Sequence, residues 1–230
     1  MNVNRQWRKG TRSLVAALLI IVVSGASVAA KERKLRPVDE AEKDASFKSF
    51  RDTLMKAIEA RDTKYVLSIL DPKIHLSFGG SAGVKDFKEM WKPDDPKSEL
   101  WNELGIVLSL GGTFDTMEGR REFCAPYTFT SFPNDLDAFN YGAVIGENVR
   151  VRAQPNPSAP IIATLSYDIV RANFSNANES GGKSGWVEVV TPAGKRGYVS
   201  EKFIRSPVDY RACFRKTRGK WLMTTFIAGD

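Results

Sequence analysis

Histidine and cysteine are scarce in this sequence, which limits the kinds of active site that it can form. The 230 residues include one histidine, His75, and two cysteines, Cys124 and Cys213. A zinc site requires three or four nitrogen, sulfur or oxygen ligands, so we predict no metal centre. A lone histidine can act as a general base, but the sequence around His75 supplies no clear nucleophile or orienting carboxylate. We therefore predict no catalytic residue set and no cofactor.

The longest apolar run lies within the first 30 residues. A basic segment precedes ten apolar residues, Leu14 to Val23, and small residues follow as far as Ala30. This order is typical of a secretory signal peptide that is cleaved near Ala30. The alternative is a retained membrane anchor, but ten apolar residues are short of the ~20 that span a bilayer. We favour cleavage and predict an exported protein, periplasmic or secreted.

Removing residues 1–30 changes the interpretation of the net charge. This segment holds four basic residues and no acidic ones, so its loss lowers the formal net charge from +7 to +3. A charge of this size does not favour nucleic-acid binding, and we predict no nucleic-acid partner. No later stretch is long and apolar enough to predict a stable membrane span in the mature chain. Residues 31–36 form a basic run, which we interpret as a solvated tail or linker.

The next segment predicts helices mixed with a few strands. Apolar residues recur at three- and four-residue spacing between residues 39 and 61, as on one face of a helix. Ile74, Leu76 and Phe78 alternate with polar residues, so we expect a strand with these three side chains directed inward. The predicted helices cover residues 39–61, 63–70, 84–91 and 97–110, and the predicted strands cover residues 74–78, 113–117 and 121–129.

The end of the chain predicts a β-hairpin that needs a partner. Residues 210–215 and 221–227 flank a turn that contains Gly219. A lone two-stranded hairpin is marginal in water, so this one must dock on other strands. The first segment has an incomplete sheet, and we infer that the hairpin completes it. The predicted first domain therefore comprises residues 37–140 together with 207–230.

The stretch between these two parts carries three separated motifs. They are Asn148-Val149-Arg150 with Pro155, then Gly185-Trp186-Val187-Glu188-Val189, then Gly197-Tyr198-Val199. Their identity and order resemble the bacterial SH3 (SH3b) domain family. The resemblance implies a small all-β SH3-like barrel over residues 142–206 and contact with peptidoglycan or an envelope protein. The flanking segments resemble, more weakly, the NTF2-like cone fold, from which the helix at 97–110 departs. The predicted fold class is α+β, with the barrel inserted into the first domain.

Three residues of the SH3-like segment are candidate ligand contacts. Arg150 and Arg152 alternate with valines, so their side chains should point to solvent when the valines pack inward. An arginine fork can hold both oxygens of a carboxylate, although a solvated strand face is the equally simple interpretation. Tyr167 is the third candidate, at the end of the barrel where loops gather. We expect Trp186 to belong to the core, as strand aromatics commonly do.

The two cysteines lie in predicted strands of the same composite sheet. By alternation, both Cys124 and Cys213 share the more polar faces of their strands. An exported protein meets an oxidising compartment, in which a disulfide persists. Two interpretations stay open at this point: a Cys124–Cys213 disulfide, or two separate thiols.

Two functions follow from these observations. The first is an exported, non-enzymatic binding or scaffolding protein of the cell envelope, in which the SH3-like module makes the contact. The second is an enzyme or small-ligand binder with a pocket in the cone-like first domain, because related folds host both kinds of protein. A carboxylate within hydrogen-bond reach of His75 in that pocket favours the second. A concave side filled with Phe and Leu disfavours it.

Export predicts a shortened N-terminus. Intact-mass spectrometry of the protein recovered from its native compartment should show a chain that begins near Ala30 or Lys31, because signal peptidase cuts after small residues. An unprocessed Met1 on a membrane-bound protein contradicts the prediction.

Overall fold

The structure, a computed structural model, describes residues 33–117, 119–175 and 185–229. Within these ranges the chain forms five α-helices and twelve strands, and the strands make two separate sheets. The fold therefore belongs to the α+β class, as the sequence predicts. The predicted signal peptide lies outside the described residues. None of the helices in the described ranges combines the length and apolar character needed to cross a membrane.

The helices precede or flank the first sheet. They are α1 (Ala45–Glu59), α2 (Thr63–Ser68), α3 (Gly83–Trp91), α4 (Leu100–Ser109) and the short α5 (Tyr127–Thr130). Helix α1 begins where it does because the Asp44 carboxylate accepts hydrogen bonds from the backbone N–H groups of Ser46 and Phe47. Phe47 and Leu54 lie on the same face of α1 and are fully buried, which fixes that helix against the sheet.

The first sheet has the C-terminal hairpin at its centre. The strands of the chain are β1 (Leu70–His75), β2 (Thr113–Met117), β3 (Arg120–Ala125), β4 (Tyr141–Val144), β5 (Val149–Arg152), β6 (Ile161–Leu165), β7 (Ile169–Asn173), β8 (Trp186–Val190), β9 (Arg196–Ser200), β10 (Ile204–Arg205), β11 (Arg211–Thr217) and β12 (Lys220–Ile227). The first sheet follows the order β1-β12-β11-β3-β2, and it is mixed because β1 runs parallel to β12. The prediction that the hairpin completes this sheet is confirmed.

An aromatic cluster fills the space between α1 and this sheet. The Phe47 ring lies 4.2 Å from that of Phe123 and 4.9 Å from that of Trp221, measured between centroids. Phe214 also lies against Phe47, at 5.9 Å. Each fully buried side chain of this size contributes about 1.5–3 kcal/mol through removal from water. The hairpin strands therefore supply part of the main core as well as the middle of the sheet.

Strands β4 to β10 form the second sheet, and in the sequence they lie between β3 and β11. The order is β10-β4-β7-β8-β9-β5-β6, and every neighbouring pair is antiparallel. One face buries an aliphatic core: Val144, Val149, Val151, Leu165, Val170, Ala172, Val187, Val189, Val199 and Ile204. In the described ranges no pairing closes the sheet, because β6 and the two-residue β10 stay at opposite edges. An SH3-like barrel is therefore not confirmed.

Residues 33–36 pack against the second sheet. The Leu35 N–H donates to the Tyr167 carbonyl at 2.7 Å, and the Leu35 side chain is 6% exposed. Lys34 Nζ lies 3.0 Å from an oxygen of the buried Asp168 carboxylate. Residues 33–36 are therefore not the solvated tail that we predicted. Leu35 is buried, and Lys34 supplies the charged partner that the buried Asp168 carboxylate needs.

Arg205 of β10 links the second sheet to helix α4. Its side chain is 7% exposed, and Nη2 lies 2.6 Å from Oε1 of Glu103. The same nitrogen donates to the Tyr210 carbonyl at 3.1 Å. A buried guanidinium without its partner is strongly destabilising, so this pair fixes the second sheet relative to the helices.

Two strand predictions were wrong in their bounds. Strand β1 begins at Leu70 and includes Pro72, which the sheet edge accepts because an edge strand has one side without ladder hydrogen bonds. Phe78 lies beyond this strand and is 59% exposed, whereas we expected it inward. Strand β3 ends at Ala125, because Pro126 lacks the N–H that would continue the ladder, and helix α5 follows.

Cys124 and Cys213 are opposite residues of β3 and β11 and form a disulfide across a sequence separation of 89. We expect the Cys124→Ala/Cys213→Ala variant to lose about 4 kcal/mol of unfolding free energy, because the bridge restricts a long loop of the unfolded chain. Urea denaturation of both proteins measures the difference. Equal unfolding free energies, or two free thiols by non-reducing mass mapping of the parent, contradict this prediction.

Candidate functional site

An open groove on the second sheet contains both predicted arginines. We call it the arginine groove, and its volume is about 390 Å³. The residues that line it are Glu147, Asn148, Val149, Arg150, Arg152, Pro157, Trp186, Ser200 and Phe203. Apart from Val149, which also belongs to the aliphatic core, charged, polar and aromatic side chains therefore meet at this groove.

Strand register brings the lining residues together. Strands β5, β9 and β8 are neighbours, and Arg152 is opposite Tyr198 while Trp186 is opposite Ser200. Side chains two residues apart along a strand share a face, so Arg150 and Arg152 lie on the same side. The three strands thus present one continuous outer face.

Trp186 faces this groove and not the core. Its neighbours Val187 and Val189 are each 1% exposed, whereas Trp186 is half-buried. Because successive side chains of a strand point to opposite faces, the two valines occupy the inner face and exclude Trp186 from it. The expectation that Trp186 belongs to the core is wrong, and its ring becomes one wall of the groove.

Arg150 and Arg152 differ in the hydrogen bonds that their guanidinium groups make within the chain. Arg152 donates through Nη1 to the Ala159 carbonyl at 2.6 Å, which holds the loop between β5 and β6. Arg150 is exposed, and no other residue of the described ranges pairs with its guanidinium. Glu147, at the edge, is also exposed, and Phe203 is 50% exposed. Arg150 is therefore the cation of this groove that is available to a ligand.

Tyr167 does not line the arginine groove. Its backbone has positive φ (58°), and its N–H donates to the Gly146 carbonyl at 3.1 Å. Its ring lies 6.0 Å from the Arg36 guanidinium, and it is also close to Tyr127. Burial, with a smaller contribution from Tyr167, raises the pKa of Tyr127 to about 12. Tyr167 thus holds residues 35 and 36 beside the second sheet, and its role as a ligand contact stays a prediction.

Two larger depressions lie beside the segment that links β10 to β11. Their volumes are about 670 and 410 Å³, and both are lined by Phe139 and Val208. The charged residues there are engaged within the chain: Asp209 accepts from the Tyr210 N–H at 2.7 Å, and Arg211 donates to Gly229 at 2.8 Å. Asp209 and Arg211 are therefore already hydrogen-bonded within the chain.

Among the described residues, side chains pack the helix-facing side of the first sheet and leave there no pocket of the kind that an enzyme would use. Phe47, Phe123 and Phe214 fill that side and are fully buried. His75 is exposed, and no carboxylate in the described part of the chain is hydrogen-bonded to it. By the criterion set out above, this packing disfavours the enzyme or small-ligand interpretation of the first domain.

One cluster has donor atoms at metal-ligand spacing. The donor atoms of Glu122, Cys124 and Cys213 lie within 4.8 Å of one another. The two sulfurs are bonded to each other, and the Glu122 carboxylate pairs with the Arg215 guanidinium. A metal needs deprotonated thiolates, so this cluster cannot bind one while the disulfide is intact.

Comparison of the chain with protein-family models, with curated proteins and with solved structures gave no match. The resemblance to SH3b domains therefore stays a prediction from three motifs. Phe203 and Ser200 of the groove were not predicted from the sequence. Ser200 follows Tyr198 by two residues, and this period-two spacing would have placed both on the outer face.

Gly197 holds β9 close to β5 behind the groove. A Cβ at this position would lie 2.7 Å from the Arg152 carbonyl oxygen and 2.7 Å from a Val151 methyl. We expect Gly197→Ala to lower the unfolding free energy by about 1–3 kcal/mol through overpacking. The control is Gly146→Ala, whose Cβ would meet its nearest atom, on Val149, at an acceptable 3.4 Å. Thermal unfolding compares the two, and equal midpoints contradict the prediction.

Proposed function

We propose that this is an exported, non-enzymatic binding protein of the cell envelope that holds peptidoglycan or an envelope protein in the arginine groove. The proposal combines the signal-like N-terminus with the SH3b-like motifs that supply strands β5, β8 and β9. The single observation that supports it best is the position of Arg150. An exposed guanidinium without a partner in the described ranges lies beside the half-buried Trp186 and the exposed Phe203.

The chemistry of these side chains favours a carboxylate that has an apolar neighbour. A guanidinium presents a planar fork that matches both oxygens of a carboxylate. Trp186 and Phe203 add aromatic surface, on which an alkyl chain or a second ring can pack. Peptide stems of peptidoglycan and C-terminal peptide segments both carry carboxylates next to short apolar side chains. Glu147 at the edge disfavours ligands of high negative charge, because like charges repel at short distance.

Sedimentation with purified sacculi tests the proposal. We expect the parent protein to co-sediment and Arg150→Gln to lower its affinity about tenfold or more, because a charge-assisted hydrogen bond is lost. Trp186→Ala should also weaken binding, through loss of apolar contact area. Neither change should lower the thermal midpoint much, because Arg150 is exposed and Trp186 lies outside the core cluster.

Arg171→Gln is the matched control for the charge change. Arg171 is an exposed arginine of β7 in the same sheet, outside the groove lining. Binding that falls equally in Arg150→Gln and Arg171→Gln indicates general charge attraction and rejects the groove. If the parent binds no sacculi, photo-crosslinking from the exposed position 164, next to the groove, tests the envelope-protein partner. Absence of both sacculus binding and crosslinked protein overturns the proposed function.

A further inference from the structure

A second cationic region lies at one end of the first sheet. Strands β3 and β11 are neighbours, and Glu122 of β3 is opposite Arg215 of β11. The first residues of β3 and the turn after β11 therefore lie side by side at the same end of the sheet. Basic residues concentrate there: Arg120, Arg121, Arg215, Lys216, Arg218 and Lys220.

Only some of these cations are neutralised by carboxylates. Arg121 lies 3.1 Å from Asp44, and Arg215 pairs with the buried Glu122. Arg120, Lys216, Arg218 and Lys220 are exposed, and none forms an ion pair with a residue of the described ranges. Glu118 lies outside those ranges. Asp115 of β2, which is opposite Glu122, is a third carboxylate near these cations. Six cations and three carboxylates leave an excess of three positive charges in the described part of this end.

A depression of about 250 Å³ lies among these side chains. It is lined by Asp44, Arg120, Arg121, Arg215, Lys216 and Trp221. Trp221 is 7% exposed, and its Nε1–H donates to the Ser46 hydroxyl at 3.1 Å. Lys216 donates to the same hydroxyl at 2.9 Å, and its Nζ lies 5.9 Å from the centre of the Trp221 ring. Lys216 is therefore held in place beside the depression.

The cations of this depression, and not the N–H groups at the start of α1, are available to a ligand. The first-turn N–H groups of α1, from Ser46 and Phe47, already donate to Asp44. The Asp44 carboxylate is charged, since its hydrogen bond with the Ser46 side chain lowers its pKa. It offsets Arg121 but leaves Arg120 and Lys216 unopposed.

We propose that this depression binds a phosphate group, with Arg120 and Lys216 as the direct contacts. Arg121 and Arg215 add positive potential from their ion pairs, and Arg218 and Lys220 attract the ligand from the adjacent turn. A phosphate monoester carries up to two negative charges and three strong acceptor oxygens, which suits a group of arginine and lysine donors better than a single carboxylate does. The site differs from the arginine groove in its sheet, its charge excess and its lack of exposed aromatic side chains.

Isothermal titration calorimetry with glycerol 3-phosphate tests the site, with glycerate as the carboxylate analogue. We expect the purified protein to bind the phosphate ester more tightly than glycerate. Arg120→Gln/Lys216→Gln should weaken phosphate binding about tenfold or more, because two charge-assisted contacts are lost. The control Lys64→Gln/Lys88→Gln removes the same charge from exposed lysines of α2 and α3 and should leave binding unchanged.

A variant that binds the phosphate ester more tightly gives a further test, because partial unfolding would weaken binding and not strengthen it. Asp44→Asn keeps an N-cap acceptor for α1 but removes the carboxylate that competes for Arg121. We therefore expect this variant to bind glycerol 3-phosphate several-fold more tightly than the parent. Unchanged or weaker binding, in a variant with the parent's thermal midpoint, counts against the site.

Vesicles distinguish the source of the phosphate. Co-sedimentation with phosphatidylglycerol in phosphatidylcholine, compared with phosphatidylcholine alone, measures binding to lipid headgroups. For such a surface the double variant should lose roughly 25-fold in affinity, since each basic residue contributes about fivefold at low salt. Binding of either probe that depends on Arg120 and Lys216 supports the proposal and identifies a soluble ester or a lipid as the source. It is overturned if neither probe binds, or if the Lys64/Lys88 control weakens binding to the same extent.

Discussion

The pairing of the C-terminal hairpin with both halves of the first sheet is the constraint on which the rest of this structure depends. Strand β12 pairs with β1 and strand β11 pairs with β3, so residues from the end of the chain hold the middle of the sheet. The aromatic core needs them too, because Phe214 and Trp221 pack against Phe47 of α1. The first sheet is therefore complete only when β11 and β12, which follow the second sheet in the sequence, have paired with β3 and β1.

Three sets of contacts connect the second sheet to the rest of the fold. Residues 33–36 lie along the second sheet before the chain enters α1, and Leu35 shares a small core with Tyr127 and Ile169. Arg205 reaches Glu103 of α4 just before β11 begins. The disulfide lies at the same boundary, between the strand that precedes the second sheet and the strand that follows it. The second sheet is therefore anchored at its start, at its end and by residues 33–36, so the two proposed binding surfaces are held in a fixed relation.

The two proposed sites follow from strand register in different ways. The arginine groove lies across three strands, where side chains separated by up to 50 residues in sequence share the outer face of one sheet. The proposed phosphate site lies where the first residues of β3 meet the end of β11. The groove mixes one unpaired cation with aromatic surface, whereas the turn end has an excess of cations around a polar depression. Their ligands should therefore differ in charge and in apolar content.

Local pattern in the sequence was sufficient for the α+β class, for most helices, for the central hairpin and for the outward direction of Arg150. Each depends on short-range rules, such as the periodicity of buried residues and the alternation of strand side chains. Tertiary structure alone decided the features that depend on contacts between distant segments. It gave Lys34 the buried partner Asp168, joined Cys124 to Cys213, placed Tyr167 away from the arginines and brought Trp186 to the groove. A single sequence does not specify which strands become neighbours, and for that reason neither site could be assembled from it.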